Sequence, residues 1–230
     1  MPGRPTRPQV IAFDVNETLF SLDRLGDALE AIGLPGSALD LWLARVLMDG
    51  FALAASGTDL RFQALAEQHL RRVLRSFALS DDEPVIEVMA AFDELEPYED
   101  VAEALERLRS AHVRVVTLTN VSRVTTRRLL DAAALGDLVE LDLDAEQAGG
   151  WKPLERAYRL VCDQTGLEPE AIAFVSSHSW DVHGASLTGM TTGWISRLEG
   201  QHVEGMAEPD IIDRTLVSLV DQLLALPPSR

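Results

Sequence analysis

The sequence predicts an α/β fold in which a parallel sheet is flanked by helices and an all-helical segment is inserted after the first strand. Two observations indicate this fold. From residue 97 onwards, short apolar runs typical of buried strands alternate with helical segments at the spacing of βαβ units. Between the first apolar run, residues 10–13, and residue 97, the pattern is helical without a convincing strand. We therefore expect a core domain of residues 1–20 and 95–230, and a helical domain of residues 21–94.

The first strand leads directly into a candidate reactive group. Residues 10–13 are all apolar, as a strand covered on both faces requires, and Asp14 closes the run with a turn-favouring side chain. In open α/β sheets, ligands bind at the carboxyl ends of the strands. Asp14 is therefore either a reactive carboxylate or an ordinary cap of a turn or helix.

Four helices are predicted in the segment that follows Phe20. The first has Leu25, Leu29 and Ile32 on one face and ends at residues 33–36, which contain two glycines and a proline. We expect the core to contain Trp42 and the methionines. The other three are expected to begin after Ser37 as an N-cap, at Thr58–Asp59, and at residues 81–84.

The second half of the chain alternates between strands and helices. Strands are predicted at residues 113–118, 139–142, 171–175 and 192–195. Helices are predicted at residues 99–110, from a cap at Ser122 or Thr125 to residues 135–136, through residues 154–161, and at residues 215–226.

Polar side chains follow several of these strands. Because parallel strands end at one edge of a sheet, we expect these groups to meet there. The chemistry they suit is nucleophilic catalysis by a carboxylate, in which Asp14 attacks and Lys152 keeps it ionised. Asp181 would either hold Lys152 in place or polarise a water for a second step. The groups are Asp14 with Thr18, Thr119–Asn120, Lys152, Ser176 and Asp181.

Charge and composition exclude several classes of partner. The 230 residues are 47% hydrophobic, which is enough to bury a large core. The formal net charge of −17 argues against nucleic-acid binding and requires a local positive pocket for any anionic substrate. Cys162, the single cysteine, excludes an internal disulfide and a cysteine zinc cluster, and we expect it to pack as a small apolar residue. We find neither a signal peptide nor a membrane span, so we expect a cytoplasmic protein without a membrane partner.

The same stretches resemble the motifs of the haloacid dehalogenase superfamily, and within it those of the type II (S)-2-haloacid dehalogenases. Residues 13–20 (Phe-Asp-Val-Asn-Glu-Thr-Leu-Phe) resemble the nucleophile motif, and residues 118–120 (Leu-Thr-Asn) the second motif. Residues 151–153 (Trp-Lys-Pro), with Tyr158 beyond them, resemble the third, and residues 174–181 (Phe-Val-Ser-Ser-His-Ser-Trp-Asp) the fourth. The match spans essentially the whole chain and implies a Rossmann-like core with a helical cap after the first strand.

This resemblance implies a two-step hydrolysis without metal or other cofactor. Asp14 would displace halide from the 2-carbon of a small anionic haloacid, and water would then attack the resulting ester and release a 2-hydroxy acid of inverted configuration. The resemblance leaves the oligomeric state open, with a homodimer as one option. It implies roles in substrate binding for Thr119 with the amides of Val15 and Asn16, in halide binding for Asn120, and in supporting Lys152 and the water for Tyr158, Ser176 and Asp181.

Two positions depart from the pattern that the resemblance implies. The family's cap arginine, which helps to receive the halide, corresponds here to Leu43. Arg45 lies two residues later, roughly 200 degrees around a helix, and would bind substrate only if the helix is shifted; otherwise it is a solvated arginine. His178 stands where the subgroup usually has asparagine; it can hydrogen-bond Asp14 or a water and can gain charge near neutral pH.

Two other functions remain open at this point. Phosphatases of the superfamily usually carry a second aspartate two residues after the nucleophile; here that position is Asn16, which cannot donate a carboxylic proton. Asp14 and Asp181 could nevertheless bind Mg²⁺ through oxygen ligands in a phosphatase. A catalytically silent protein that binds a metabolite or a partner is the third alternative, motivated by the missing arginine.

Overall fold

A parallel sheet forms the centre of the molecule in the computed structural model, which describes residues 5–58, 60–79 and 82–228. Its strands are β1 (Val10–Phe13), β2 (Arg114–Thr119), β3 (Leu141–Asp144), β4 (Ile172–Ser176), β5 (Thr191–Ile195) and β6 (Ile211–Asp213). The spatial order is β3-β2-β1-β4-β5-β6, and every neighbouring pair runs parallel. The predicted α/β class is therefore confirmed.

The central strand β1 is apolar throughout because both of its faces are covered. Ile11 and Phe13 pack into the hydrophobic cluster on one side of the sheet, and Val10 and Ala12 into the cluster on the other. All four side chains are fully buried. This alternation is the two-residue period of a strand, and it leaves Asp14 as the first polar group at the carboxyl edge.

Four helices lie in the described part of the segment between Phe20 and Pro97. Of the predicted helix starts, Asp59 and Asp81 lie outside the described residues. The third helix begins at Phe62, after Thr58, and the fourth begins at Glu83, within the predicted residues 81–84. Ser37 precedes the second helix without making a side-chain cap. Trp42 is buried as expected, but Met48 is 61% exposed, so the core prediction is wrong for that methionine. The helices are α1 (Asp23–Ala31), α2 (Ala38–Ala55), α3 (Phe62–Ser76) and α4 (Glu83–Ala90).

Met48 is exposed because α2 faces the core with another set of residues. Trp42, Val46, Gly50 and Ala54 recur every four residues and are buried. Met48 lies two positions from Val46 and Gly50, on the opposite side of the helix. Trp42 is also held by its indole N–H, which donates to the Ala66 carbonyl at 2.8 Å.

Five further helices complete the described chain. The Ser122 hydroxyl caps the second of them by accepting from the Val124 N–H at 3.2 Å. That helix ends at Ala132, short of the predicted 135–136, because Ala134 adopts a positive φ of 56°. Cys162 is buried among apolar residues, as expected. The helices are α5 (Val101–Ser110), α6 (Arg123–Ala132), α7 (Glu155–Thr165), α8 (Ser179–Leu187) and α9 (Leu216–Leu224).

The two chain crossings between the sheet and α1–α4 run side by side. Phe20 pairs with Pro97 in an isolated antiparallel bridge. The Ser21 N–H donates to the Glu96 carbonyl at 2.9 Å, and the Tyr98 N–H donates to the Leu19 carbonyl at 3.0 Å. The four helices are therefore joined to the sheet through one paired segment. Among the described residues, no helix combines the length and apolar character that a membrane crossing needs.

Candidate active site

The carboxyl edge of the sheet brings together the polar groups that follow its central strands. Asp14 follows β1, Thr119 and Asn120 end or follow β2, and Ser176 ends β4. Lys152 comes from the loop between β3 and α7. The expected convergence at this edge follows from the parallel order β2-β1-β4.

Lys152 joins two carboxylates in the interior. Its Nζ lies 2.8 Å from Asp14 Oδ1 and 2.6 Å from Asp181 Oδ2, and its side chain is 1% exposed. Burial by itself lowers the pKa of Lys152, but the charges and hydrogen bonds of the two aspartates outweigh it and raise the pKa above the usual value. Lys152 is therefore an ammonium shared between Asp14 and Asp181.

Each carboxylate oxygen of Asp14 accepts one strong hydrogen bond. Oδ1 accepts from Lys152, and Oδ2 accepts from the Thr18 hydroxyl at 2.9 Å. The Thr18 hydroxyl in turn accepts from the Ser177 N–H at 2.9 Å, which fixes the direction of its own proton. The Asp14 side chain is 8% exposed, so the carboxylate is held in one orientation with little access to water.

Tyr158 holds the far side of the ion-paired cluster. Its hydroxyl donates to Asp181 Oδ1 at 2.7 Å, while Oδ2 of the same carboxylate binds Lys152. Burial, followed by the charge of Asp181, raises the pKa of Tyr158 well above its ordinary value, so the ring remains a neutral phenol that donates. Burial also raises the pKa of Asp181, although the Lys152 charge opposes this.

Asn120 fixes the backbone that carries Lys152. Its Oδ1 accepts from the Lys152 N–H at 2.8 Å, and its Nδ2 donates to the Lys152 carbonyl at 3.2 Å. Ser176 acts on the neighbouring loop, where its hydroxyl accepts from the His178 N–H at 3.1 Å. Both residues thus position the backbone of other site residues.

A small cavity opens in front of Asp14. Its volume is about 50 Å³, and the apolar part of its wall comes from α2, α3 and the start of α8. Arg45 does not line it, because Leu43 and Leu47 occupy the inner face of α2 and Arg45 lies two residues from each of them. The lining residues are Asp14, Asn16, Glu17, Leu22, Leu43, Leu47, Phe62, Thr119, Asn120, Val121, Lys152, His178 and Trp180.

The predicted role of Arg45 in substrate binding is thus not supported by its position. Tyr158 and Ser176 also lie outside the lining and act through other residues. A larger open groove of about 770 Å³ runs past Tyr98 and Arg197, and it contains none of the predicted site residues. The volume of a cavity is therefore not a guide to the site of Asp14 in this molecule.

The loop after Asp14 forms a tight turn beside this cavity. The N–H groups of Glu17 and Thr18 donate to carbonyls of the same turn, at 2.7 and 3.3 Å. Within the described residues, the N–H groups of Val15 and Asn16 have no acceptor. Glu17 adopts a positive φ of 61°, which turns its backbone tightly and places its side chain at the cavity.

His178 lies between three carboxylates. Its Nε2 is 3.4 Å from Glu17 Oε2 and 4.0 Å from Asp14 Oδ2, and its Nδ1 is 3.8 Å from Glu199 Oε1. The ring stacks on Trp180 with 5.5 Å between centroids. Burial lowers the pKa of His178, but Glu199 and the charges of Asp14, Glu17 and Asp181 outweigh burial and raise the pKa to about 9.

Glu17 and Glu199 are site residues that the sequence prediction missed. Glu199 accepts from the Ser179 N–H at 3.0 Å and contacts the Ser179 hydroxyl, so it also caps α8. Residues 196–199 follow β5 at the same edge of the sheet, but no local pattern in the sequence places residue 199 at the site. Burial raises the pKa of Glu17. Burial also acts to raise the pKa of Glu199, but interactions with His178 and Ser179 outweigh it and hold that pKa below the usual value.

Comparison with known proteins identifies the family of this chain. Residues 8–189 match the model of the haloacid dehalogenase-like hydrolases. The chain is 32% identical over 176 residues to (S)-2-haloacid dehalogenase 4A of Burkholderia cepacia, covering 76% of this chain and 74% of that protein. It is 29% identical to an (S)-2-haloacid dehalogenase of Pseudomonas fluorescens, covering 94% and 96%.

The fold is also similar to that of solved structures. A crystal structure of a dehalogenase with an intermediate complex superposes with a TM-score of 0.88 at 27% identity, covering 95% of this chain and 98% of that one. The family resemblance read from the sequence motifs is thereby confirmed. The chain belongs to the haloacid dehalogenase-like hydrolase family.

Proposed function

We propose that this protein hydrolyses a small (S)-2-haloalkanoic acid or haloacetate to the 2-hydroxy acid through an ester on Asp14. The relatives from Burkholderia cepacia and Pseudomonas fluorescens, both (S)-2-haloacid dehalogenases, support this substrate class. The observation that carries the proposal is the position of Asp14. Its buried carboxylate, held by Lys152 and Thr18, faces a cavity with an apolar wall.

The first step is a displacement at carbon. One oxygen of Asp14 forms a bond to the 2-carbon, and the carbon–halogen bond breaks with its electron pair on the halide. Lys152 and Thr18 hold the carboxylate in one orientation, which lowers the entropic part of the barrier. The unpaired N–H groups of Val15 and Asn16, with Thr119, are suited to bind the substrate carboxylate.

The second step is hydrolysis of the ester. A water oxygen attacks the Asp14 carbonyl carbon, and the bond from that carbon to the substrate oxygen breaks. One proton of the water passes to the alkoxide, and the other leaves to solvent, so that Asp14 returns to a carboxylate. Lys152 stabilises the oxyanion that forms on Asp14, because its Nζ already binds Oδ1. We assign Asp181 and Tyr158 to holding Lys152 in place, since their contacts are with Lys152 and each other.

The size of the cavity limits the substrate. A single water needs roughly 10–15 Å³ by the same kind of measure, so a cavity of about 50 Å³ accommodates a few heavy atoms. We expect acids of two or three carbons to react faster than longer ones.

We also propose that residues 21–94 form a cap domain over a core of residues 1–20 and 95–230. The paired segment at Phe20 and Pro97 supports this division, since both crossings run through it. The cap supplies Leu43, Leu47 and Phe62 to the cavity and so excludes water from the face opposite Asp14.

A phosphatase reaction is not proposed for this site. Asn16 cannot supply a carboxylic proton to a leaving alcohol. The Lys152 ammonium also lies between Asp14 and Asp181, the two carboxylates that were candidates for binding Mg²⁺.

The proposal is tested by halide release without added metal. We expect the protein to release chloride from (S)-2-chloropropionate, and Asp14→Asn to abolish release because an amide is a poor nucleophile. Asp163→Asn, the same change at an exposed position, is the matched control and should leave the rate unchanged. Turnover of a phosphate ester that a chelator stops, with no halide release, would overturn the proposal.

A single turnover in ¹⁸O-labelled water tests the ester directly. With enzyme in excess, the oxygen added to the product should come from Asp14 and carry no label. Label in the first product would show that water attacks the 2-carbon directly, and the covalent step would be wrong.

A further inference from the structure

The displacement that we propose leaves an anion in a cavity poorly equipped to hold it. Leu43, Leu47 and Phe62 form part of the wall, and burying an unpaired anion against such side chains is costly. Within the described part of the chain, two cationic side chains line the cavity, Lys152 and His178. One of these two cations must therefore bind the halide, since no other charged donor of the described chain lines this cavity.

Lys152 is already committed to other partners. Its ammonium contacts carboxylate oxygens of both Asp14 and Asp181 within 2.8 Å, and it is 1% exposed.

The surroundings of His178 stabilise a positively charged ring. Glu17 Oε2 lies 3.4 Å from Nε2 and Glu199 Oε1 lies 3.8 Å from Nδ1, so a carboxylate faces each ring nitrogen. Negative groups at these distances favour the imidazolium over the neutral ring. Glu199 does not line the cavity and so attracts this charge from the other side of the ring.

Stacking on Trp180 fixes the plane of the ring. Nε2 is on the cavity side, since it lies 4.0 Å from Asp14 Oδ2 and 3.4 Å from Glu17 Oε2, and both of these residues line the cavity. We propose that His178, as an imidazolium, binds the departing halide, and that Glu199 positions its ring. This inference rests on the proposed function. It requires no proton transfer: the carbon–halogen bond breaks onto the halide, which then accepts the Nε2–H hydrogen bond.

Glu17 competes with the halide for the same donor. Its Oε2 lies 3.4 Å from Nε2, so an arriving anion must replace it as the partner of His178. Burial raises the pKa of Glu17, which makes protonation and release of the ring easier than for an exposed glutamate. Removing the Glu17 charge should therefore strengthen anion binding, the opposite of removing His178.

Bromide ion is the probe, because it reports on halide binding without turnover. We expect bromide to inhibit competitively and to bind the wild-type protein in a calorimetric titration at pH 7. His178→Asn should weaken its affinity roughly tenfold to a hundredfold, the range for a charged hydrogen bond. Glu17→Gln should strengthen it, and His112→Asn, at an exposed histidine, should leave it unchanged.

Leaving-group dependence gives a second readout. Under single-turnover conditions, His178→Asn should slow chloride release by about 10²- to 10³-fold, the usual loss for one preorganised donor. Bromide release from the matched substrate should slow less, because bromide is the weaker acceptor and better leaving group. If His178→Asn is unfolded by circular dichroism, His178→Gln replaces it in both experiments.

The pH dependence should follow His178. The groups facing it are Asp14 and Glu17 after β1, Asp181 on α8 and Glu199 after β5. Bromide affinity should be steady near neutral pH and fall as pH rises through about 9, where the ring loses its charge. Glu199→Gln should move that fall to lower pH, whereas Glu199→Asp should restore part of it.

The outcomes separate the two proposals. No halide release by the wild-type protein would overturn the proposed function, whatever bromide does. Halide release that depends on Asp14, with bromide affinity and the chloride-to-bromide ratio unchanged in His178→Asn, would overturn the role of His178 alone.

Discussion

At the scale of single residues, the site depends on one ammonium that is shared between two buried carboxylates. Lys152 is 1% exposed and Asp181 is fully buried, so water cannot replace either partner. An uncompensated buried charge costs several kcal/mol, and this cost falls on whichever partner is left. The same contacts that would prepare Asp14 for attack therefore also stabilise the fold.

Lys152→Met should reveal the contribution of Lys152 both to stability and to activity. We expect a loss of about 3–5 kcal/mol in the free energy of unfolding, because both carboxylates lose their counter-charge. Halide release should disappear as well. Urea denaturation at pH 7 measures the first effect and a halide assay the second.

The double variant Lys152→Met/Asp181→Asn is the control. It removes one buried negative charge, so part of the lost stability should return while activity stays absent. If the second substitution instead adds its own full cost, the lysine is not neutralising Asp181.

The residues found from the sequence share a feature that the missed ones lack. Asp14, Thr119 and Ser176 end or directly follow well-marked apolar strands. They could be predicted because ligands bind at the carboxyl ends of parallel strands. Glu199 lies four residues beyond β5, in a loop whose course no local pattern predicts. Glu17 was recognised only as part of a motif. The neighbouring residues do not predict the positive φ that places its side chain at the cavity.

At the scale of elements, α8 approaches α7 closely enough to control Tyr158. A Cβ added at Gly184 of α8 would lie 2.4 Å from the Tyr158 hydroxyl oxygen and 2.8 Å from Pro153 Cβ. Glycine at this position therefore lets the two helices close over the hydroxyl that holds Asp181. Packing between elements thus determines the geometry of the ion-paired cluster.

Gly184→Ala should consequently lower activity from outside the cavity. Overpacking costs roughly 1–3 kcal/mol, and the shift of Tyr158 should loosen Asp181 and Lys152 and reduce kcat. Thermal denaturation and initial rates of halide release measure the two effects.

Gly26→Ala is the matched control on α1, where the nearest atom to an added Cβ is 3.9 Å away. It should stabilise the protein by about 0.5–1 kcal/mol through helix propensity and leave kcat unchanged. Equal activity in both variants would show that Tyr158 tolerates the displacement.

The elements themselves were predictable where the pattern was long. The central strands and most helices lie within a few residues of the expected bounds. Burial on both faces gives β1 and β4 continuous apolar runs, and β2 is apolar at three of its six positions. β6 was missed: it has three residues, lies at the sheet edge and exposes Ile212 by 47%. The inner face of α2 was not predicted either. Leu43 and Leu47 line the cavity because of how α2 packs, which the spacing of residues in the sequence does not determine.

At the scale of the whole molecule, the net charge of −17 opposes the binding of the substrate that we propose. The cavity adds to this, because Asp14 and Glu17 both line it. Repulsion over the surface extends about 30 Å at 10 mM salt but only about 8 Å at 150 mM. Approach of a haloacid anion should thus be slowest at low ionic strength.

We therefore expect kcat/KM for 2-chloropropionate to rise several-fold between about 10 and 150 mM ionic strength, adjusted with a non-halide salt such as sodium sulfate. The physical reason is long-range, so it can be tested away from the site. The combined variant Asp163→Asn, Glu168→Gln, Glu170→Gln removes three exposed negative charges. It should raise kcat/KM at low salt, flatten the salt dependence and leave kcat unchanged. A kcat/KM that falls with salt in both proteins would mean that local attraction by His178 and Lys152 dominates the approach, and that the surface charge serves another purpose.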